Sequence, residues 1–510
     1  MFFKREIGWF SQRLEENIER LNDGDIKSIP WIFCVLAEDS DILKRRAAKV
    51  LSNILENINF SQICQVDIQM RQTTSTGWNI RWDKYKVENF FVRKMTVDEK
   101  RAILIFSSFH PNGYIREQAV KLLYPYDLTL PYLILRQNDW VKQVRQAAFA
   151  SFTMRISNAS NEELLLSLPF VEKLLRGARV SHFECVNTFF EQLNLPSRNK
   201  VLADGLASPE VLIRRACINA LFSPQKPNST ILIAHLKYEC DPFLRRLIFQ
   251  KLCMLDVDMR TVSIRFLKDK HPINRKIALQ YLYEREKDLA YSEALKIILD
   301  KNSLLRQFAK SMIKEADPDF DIEMFYIDNL TKHTQPAILG LGETGRAADC
   351  EIIEPYLCND CTAIVRAAMV SLMKLDAQRY RHTIVEILTS EKEGIVKTAR
   401  ILIQKYSVQD FPRILEIFNA VKHEDTKIKC AALLFTASKW QRLIYMLVVL
   451  RSENKRIQFL AIDYISRWLN SYNKSFIEAT QEQKNMVFEL VHEQANILGM
   501  SMKKQILFLL

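Results

Sequence analysis

Glycine is scarce in this chain, with 11 among 510 residues, and proline is modest at 15. Sandwiches and doubly wound sheets need many turn formers, so this poverty argues for helices. Ten cysteines in 510 residues are far from a disulfide scaffold. Cys34, Cys217, Cys253 and Cys430 sit in apolar helical contexts, where a free thiol behaves as a small hydrophobe. Long apolar runs are missing as well. The longest is Leu443–Leu450, far short of the ~20 residues a membrane span needs. The start, Met1-Phe2-Phe3-Lys4-Arg5-Glu6, breaks up any apolar region with charge and is not a signal peptide. No membrane span and a reducing compartment, most simply the cytoplasm, are expected.

Catalytic and cofactor motifs are nearly absent. There is no G-x-S-x-G and no G-x-x-x-x-G-K-[ST]. The eight histidines form no H-E-x-x-H. Cys358 and Cys361 make a CxxC, but a structural zinc takes four ligands and no second pair accompanies them. One stretch does resemble a fingerprint: Gly340-Leu341-Gly342-Glu343-Thr344-Gly345 fits G-x-G-x-x-G. A dinucleotide turn of that kind must follow a strand and open a helix. Here residues 337–341 fall in the core register of a helix, so Gly342 and Gly345 are expected to close it in the left-handed conformation. No cofactor and no metal are expected, and the chain reads as a non-enzyme.

What the chain has is apolar mass and positive charge. Hydrophobic residues make up 48% and charged residues 26%, enough for a large core. The net charge of +12 permits nucleic acid, acidic protein or an anionic surface as partner and selects none of them.

The chain also repeats. "LKRRAAKVL" (43–51), "IREQAVKLL" (115–123), "VRQAAFASF" (144–152), "IRRACINAL" (213–221), "LRRLIFQKL" (244–252), "NRKIALQYL" (274–282), "LRQFAKSMI" (305–313), "VRAAMVSLM" (365–373) and "IKCAALLFT" (428–436) share one pattern. From Arg214 the anchors run Arg245, Arg275, Arg306, Thr334, Arg366, Lys397, Lys429 and Gln458, in steps of 28 to 32 residues. Positions +3, +6 and +7 from each anchor share one helical face. An earlier amphipathic stretch, such as "EALKIILD", supplies a first helix. A pair of this kind cannot bury its apolar face alone, so pairs must stack. An acidic residue recurs six before the anchor, as Glu38, Asp139, Glu239, Asp269, Asp300, Asp328, Asp360 and Glu391. It is placed to cap the second helix or to bond the arginine of its own or the next unit.

These units resemble HEAT repeats of the short, ~30-residue kind found in bacterial phycobilin-lyase-type proteins. Residues 337–373, "AILGLGETGRAADCEIIEPYLCNDCTAIVRAAMVSLM", match best, and the resemblance covers roughly 100–470. It implies an all-α fold, an α-solenoid (superhelix) of about 13 helix pairs, and a binding surface, without implying lyase activity.

The spacing fails between Lys44 and Arg116 and again between Arg145 and Arg214. In the first gap lies "QICQVDIQMRQTTSTGWNIRWDKYKVENFFVRKM" (62–95). Val66, Ile68 and Met70 alternate with polar residues, as do Trp78, Ile80 and Trp82, which predicts a β-hairpin inserted in the array. The expected organisation is N-terminal helices and a first repeat over 1–61, the hairpin over 62–95, the solenoid over 96–470, and C-terminal capping helices over 471–510. In the last of these "QEQKNMVFELVHEQANIL" reads as one long helix.

Two features exceed what packing requires. One residue past the anchor stand Arg45, Arg215, Arg246 and Lys276, a basic stripe expected on the concave face. The hairpin adds Trp78, Arg81, Trp82 and Tyr85, aromatics interleaved with cations. The expectation is a scaffold that binds a protein partner with these residues. The alternative is nucleic-acid binding, since some DNA glycosylases that remove alkylated bases are built from HEAT-like repeats. Oligomeric state is left open.

Overall fold

The structure, a computed structural model, describes residues 3–73, 80–177, 181–222, 228–255 and 257–510, with side chains from residue 13 onward. Every regular element among them is helical. By contacts the chain forms two compact units, Met1–Val262 and Ser263–Leu510. The division falls where the anchor spacing is regular, so nothing in the repeat pattern marks it.

Within each unit helices pack in pairs. In the first, Val97–Ser107 pairs with Gly113–Leu123, and Leu130–Arg136 with Lys142–Ile156. Gly113–Leu123 also packs on Lys142–Ile156, and Leu130–Arg136 on Asn161–Leu175, giving one layer of first helices and one of second helices. In the second unit Thr334–Leu341, Thr362–Leu375, Glu393–Lys405 and Glu424–Leu434 stack in the same way. Small residues at +3 make the stacking close: Ala119, Ala148, Ala278 and Ala309 are each 0% exposed.

The array is less regular than about 13 equal pairs. Val201–Gly205 and Asp349–Ile353 are five residues long, whereas Asn161–Leu175 has fifteen and carries Pro169 inside it. The C-terminal stretch expected as one helix is split at Gln494 into Gln481–Glu493 and Ala495–Phe508, and Gly499 interrupts the second at φ +74°.

The β-hairpin is not observed; no strand occurs among the described residues. Residues Phe60–Gln72 are a helix, opened by a reciprocal capping box between Asn59 and Gln62. The alternation of Val66, Ile68 and Met70 was ambiguous, because 66 and 70 are also i and i+4 on a helix. Val66 and Met70 are buried at 1% and 2% exposure, while Ile68 is 51% exposed. After it come two single 3-10 turns, Trp82–Lys84 and Val87–Phe90. The proposed turn and Trp78 fall in residues 74–79, outside the described residues.

Trp82 fills a core with Phe33, Phe90 and His110; its ring lies 4.4 Å from the His110 ring. His110 is 1% exposed, and its Nδ1 accepts from the Asn112 N–H at 3.0 Å. Burial, and next the charge of Arg116, push its pKa down to about 3. The unfolded chain takes this proton near pH 6.5 and the folded chain refuses it. Stability from this group is therefore complete above about pH 6.5 and is lost as pH falls toward about 3. The urea midpoint should fall between pH 7 and pH 5, and fall less in His110→Gln. An equal fall in both would show that His110 is not responsible.

Candidate protein-binding face

Several second helices are oriented by an arginine anchor. Arg116 donates through Nε and Nη2 to Asp139 at 3.0 and 2.9 Å, and through Nη1 to the His110 and Pro111 carbonyls at 2.8 and 2.9 Å. Arg214 repeats this on Glu239, both bonds 3.0 Å, with Nη1 on the Ser208 and Pro209 carbonyls. In the second unit Arg275 reaches Asp300 at 2.9 Å, and Arg306 reaches Glu343 at 3.0 and 2.5 Å. The anchor thus closes its own turn through carbonyls and reaches forward to the carboxylate of the next turn. That carboxylate also accepts an N–H two residues on: Asp139 from Val141, Glu239 from Asp241, Asp300 from Asn302. The sequence offered the carboxylate the arginine of its own or of the next unit; it takes instead the arginine of the unit before, while its own anchor bonds its backbone carbonyl, as Arg145 does that of Asp139.

The clamp fixes the rotation of the helix about its axis. Residues one before the anchor turn inward: Leu43, Ile115, Leu244, Leu305 and Val365 are buried. Five after the anchor, Lys49, Lys121, Gln250 and Gln280 face solvent, whereas Ser371, Leu402 and Leu434 are buried.

The +1 cations fare differently from a free stripe. All four are half-buried. Arg215 donates to Glu172 at 3.1 Å, and Asn219 donates to the same carboxylate. Arg246 lies 5.1 Å from the Phe243 ring centre, and Lys276 4.9 Å from that of Phe308. Arg45 donates to the Asp41 carbonyl at 3.3 Å. Arg45, Arg215 and Arg246 belong to the first unit and Lys276 to the second. Within the insertion, Trp82 is a core residue at 5% exposure and not a contact for a partner. Tyr85 is half-buried, its hydroxyl donating to the Ala37 carbonyl at 2.9 Å. Arg81 is exposed and paired with Asp83 at 3.0 Å. Trp78 lies outside the described residues.

What the second helices do present is apolar. Two residues before the anchor, Ile42 is 71% exposed, Tyr114 73% and Phe243 59% in the first unit, and Ile273 37% and Leu304 45% in the second. Sequence reading overlooked this row. Its signal was present as the apolar pairs Ile42-Leu43, Tyr114-Ile115, Phe243-Leu244 and Leu304-Leu305 before four of the anchors, but only the inner member was aligned. Single exposed apolar residues mean little, whereas the first unit exposes Ile42, Tyr114 and Phe243 at one and the same helical position. Among the described residues no group of three His, Cys, Asp or Glu is arranged to hold a metal, and no helix is long and apolar enough to cross a membrane.

No family model matches the chain, and no curated protein matches it. Solved structures of similar outline exist. One, reporting that Kap95p binding induces the switch loops of RanGDP to adopt the GTP-bound conformation, is 9% identical with a TM-score of 0.30, over 95% of this chain and 66% of that one. Another, a Kap95:Nup1 complex, is 10% identical with a TM-score of 0.24, over 96% and 67%. The chain spans about two thirds of their length. Likenesses this slight carry no argument, and the helical architecture rests on this chain's own packing.

Proposed function

We propose that this chain is a non-enzymatic HEAT-like scaffold, working in a reducing compartment such as the cytoplasm, that binds a protein partner through the exposed second-helix row. One observation carries the reading: within the first unit Ile42, Tyr114 and Phe243 hold the same helical position and are all open to solvent. Large apolar side chains standing in a polar rim are the usual energetic centre of a protein interface. The half-buried +1 cations beside them favour a partner surface with carboxylates at its edge. Inert thiols fit the compartment, with burial pushing Cys185, Cys217 and Cys430 up to about 12.

Nucleic acid is the weaker reading. Arg215 is already held by Glu172, a carboxylate that would face any phosphate brought to it. No salt-dependent shift of duplex or single-stranded DNA is expected.

The partner row is tested by replacing Ile42, Tyr114 and Phe243 together by serine. These surface changes should each move stability by no more than about 0.5 kcal/mol. Photo-crosslinking from position 246 in extract should then lose its protein adduct by about tenfold or more, as expected for anchor residues worth about 2 kcal/mol each. An undiminished adduct in the triple serine variant would overturn the proposal.

A further inference from the structure

The first unit holds a cavity of about 400 Å3 where the repeat spacing breaks down. Its walls come from Phe60–Gln72, in the first gap, and Asn161–Leu175, in the second, with Val97–Ser107 and Leu130–Arg136 between them. The helices Asp41–Asn57 and Val211–Leu221 complete it, through Leu55, Glu56 and Ile213.

The wall is aromatic. Phe60 and Phe170 meet edge to face with centroids 4.7 Å apart, and Tyr132 follows 6.3 Å from Phe170. Tyr132 is 7% exposed, and its hydroxyl has no hydrogen-bond partner among the described residues. Burial raises its pKa, so it stays a neutral phenol. The hydroxyl is thus a donor and acceptor open to a ligand in the cavity.

Three carboxylates stand round the same space: Glu56, Glu162 and Glu210. None has an ion-pair partner among the described residues, in a chain whose net charge is +12. Arg101 also lines the cavity but is taken by Asp98 at 2.9 Å and the Asp127 carbonyl at 3.4 Å. Glu162 differs sharply from its neighbour. Glu163 is 0% exposed, and its Oε1 accepts the N–H groups of Thr129 and Leu130 at 2.8 Å each. Arg155 bonds Glu163 at 2.5 Å and Asp127 at 2.7 Å. Between these clamped residues Leu128 is held at φ +59°, a conformation leucine rarely adopts. Such strain persists only where the surroundings impose it, and here the strained residue is one that lines the cavity.

We propose that this cavity binds a compact apolar amine, an aryl- or alkyl-ammonium whose body lies against Phe60, Tyr132 and Phe170 and whose charge faces Glu56, Glu162 and Glu210. Aromatic faces and unpaired carboxylates both attract a cation, and an apolar wall with few polar groups is the usual make-up of a small-molecule site. At about 30 Å3 for each water-sized group, the space suits about a dozen non-hydrogen atoms.

Calorimetric titration of the full chain with 2-phenylethylamine, 2-phenylethanol and 3-phenylpropionate tests this. The amine should bind about tenfold tighter than the alcohol, and the acid weakest. Glu162→Gln with Glu210→Gln changes two surface side chains and should bring the amine close to the alcohol. Ile63→Trp should fill the cavity and abolish binding of both. If that variant melts early, Tyr132→Phe, which keeps the volume, should still weaken the alcohol. Equal binding of amine and alcohol, an unchanged amine affinity in the double glutamine variant, or no amine binding at millimolar concentration to the folded chain would each overturn the proposal. The double glutamine variant should keep its partner crosslink, so failure here is distinct from failure of the scaffold reading.

Discussion

Asp139→Ala is expected to destabilise the first unit by about 3–5 kcal/mol, the cost of leaving a buried charge without its partner. Asp139 sits at the centre of a buried ionic cluster. It accepts both bonds of Arg116, one from Arg136 at 3.2 Å, and the Val141 N–H at 3.0 Å. Arg136 also reaches Asp67 at 2.6 Å, and Asp67 is shared with Arg71. The side chains of Arg116 and Asp139 are 0% exposed and that of Arg136 1%. Three guanidinium groups thus share two carboxylates. Removing Asp139 strands Arg116 and leaves Arg136 and Arg71 to share Asp67 alone, which is worse than breaking a simple pair.

Burial by itself would raise the Asp139 pKa, but the Arg116 bonds and the charges of Arg136 and Arg116 outweigh it and hold the carboxyl below its ordinary range. Its stabilisation is therefore present at neutral pH and lost only in acid, as pH falls below about 4. The contrast is Glu386→Ala. The Arg413–Glu386 pair is as short, at 2.6 and 2.8 Å, yet its side chains are 41% and 50% exposed. Water screens it, and about 1 kcal/mol or less is expected. Urea unfolding of the two variants measures the difference; equal losses would mean that burial does not set the worth of these pairs.

Gly340→Val is expected to cost about 3 kcal/mol or more, and Gly345→Ala only about 1–2 kcal/mol. The three glycines of "GLGETG" meet three different demands. A side chain at Gly340 would overlap the ring of Tyr326, which is 0% exposed and held by its hydroxyl on the Ile298 carbonyl at 3.3 Å. At Gly342 it would strike Ser371, whose hydroxyl donates to the Ile338 carbonyl at 2.9 Å. Gly342 has φ −61°, so the left-handed turn expected there is absent, and close approach is what selects glycine. Gly345 alone takes the left-handed conformation, at φ +84°, with open space around it. Between them Glu343 receives Arg306 in place of Asp328, the carboxylate the spacing had pointed to. Thermal melting of Gly340→Val, Gly342→Ala and Gly345→Ala should rank them in that order of loss. A Gly345 variant as damaged as the Gly340 variant would show that turn geometry, not packing, governs the motif.

Much of this was legible in the residues. A basic anchor about every thirty residues, with an acid six before it, located the second helices and their clamps, because a guanidinium that closes a turn must stand at a fixed distance from it. The insertion was misread for a definable reason. Val66 and Met70 satisfy both a two-residue and a helical period, and only the Asn59–Gln62 cap decides between them. The stripe at +1 was located but not its company, since Glu172 comes from a helix 43 residues away from Arg215. The exposed residues at −2 lay one residue outside the aligned pattern.

Composition and spacing alone determined a chain built mainly of stacked helix pairs, since scarce glycine, no long apolar run and a thirty-residue period leave few other ways to bury 48% hydrophobic residues. Tertiary structure alone decided which side chains are available. Exposure at Ile42, Tyr114 and Phe243, burial at Trp82, and the cavity between the two irregular helices depend on how each helix is rotated against its neighbours. That rotation is set by contacts between residues far apart in the chain.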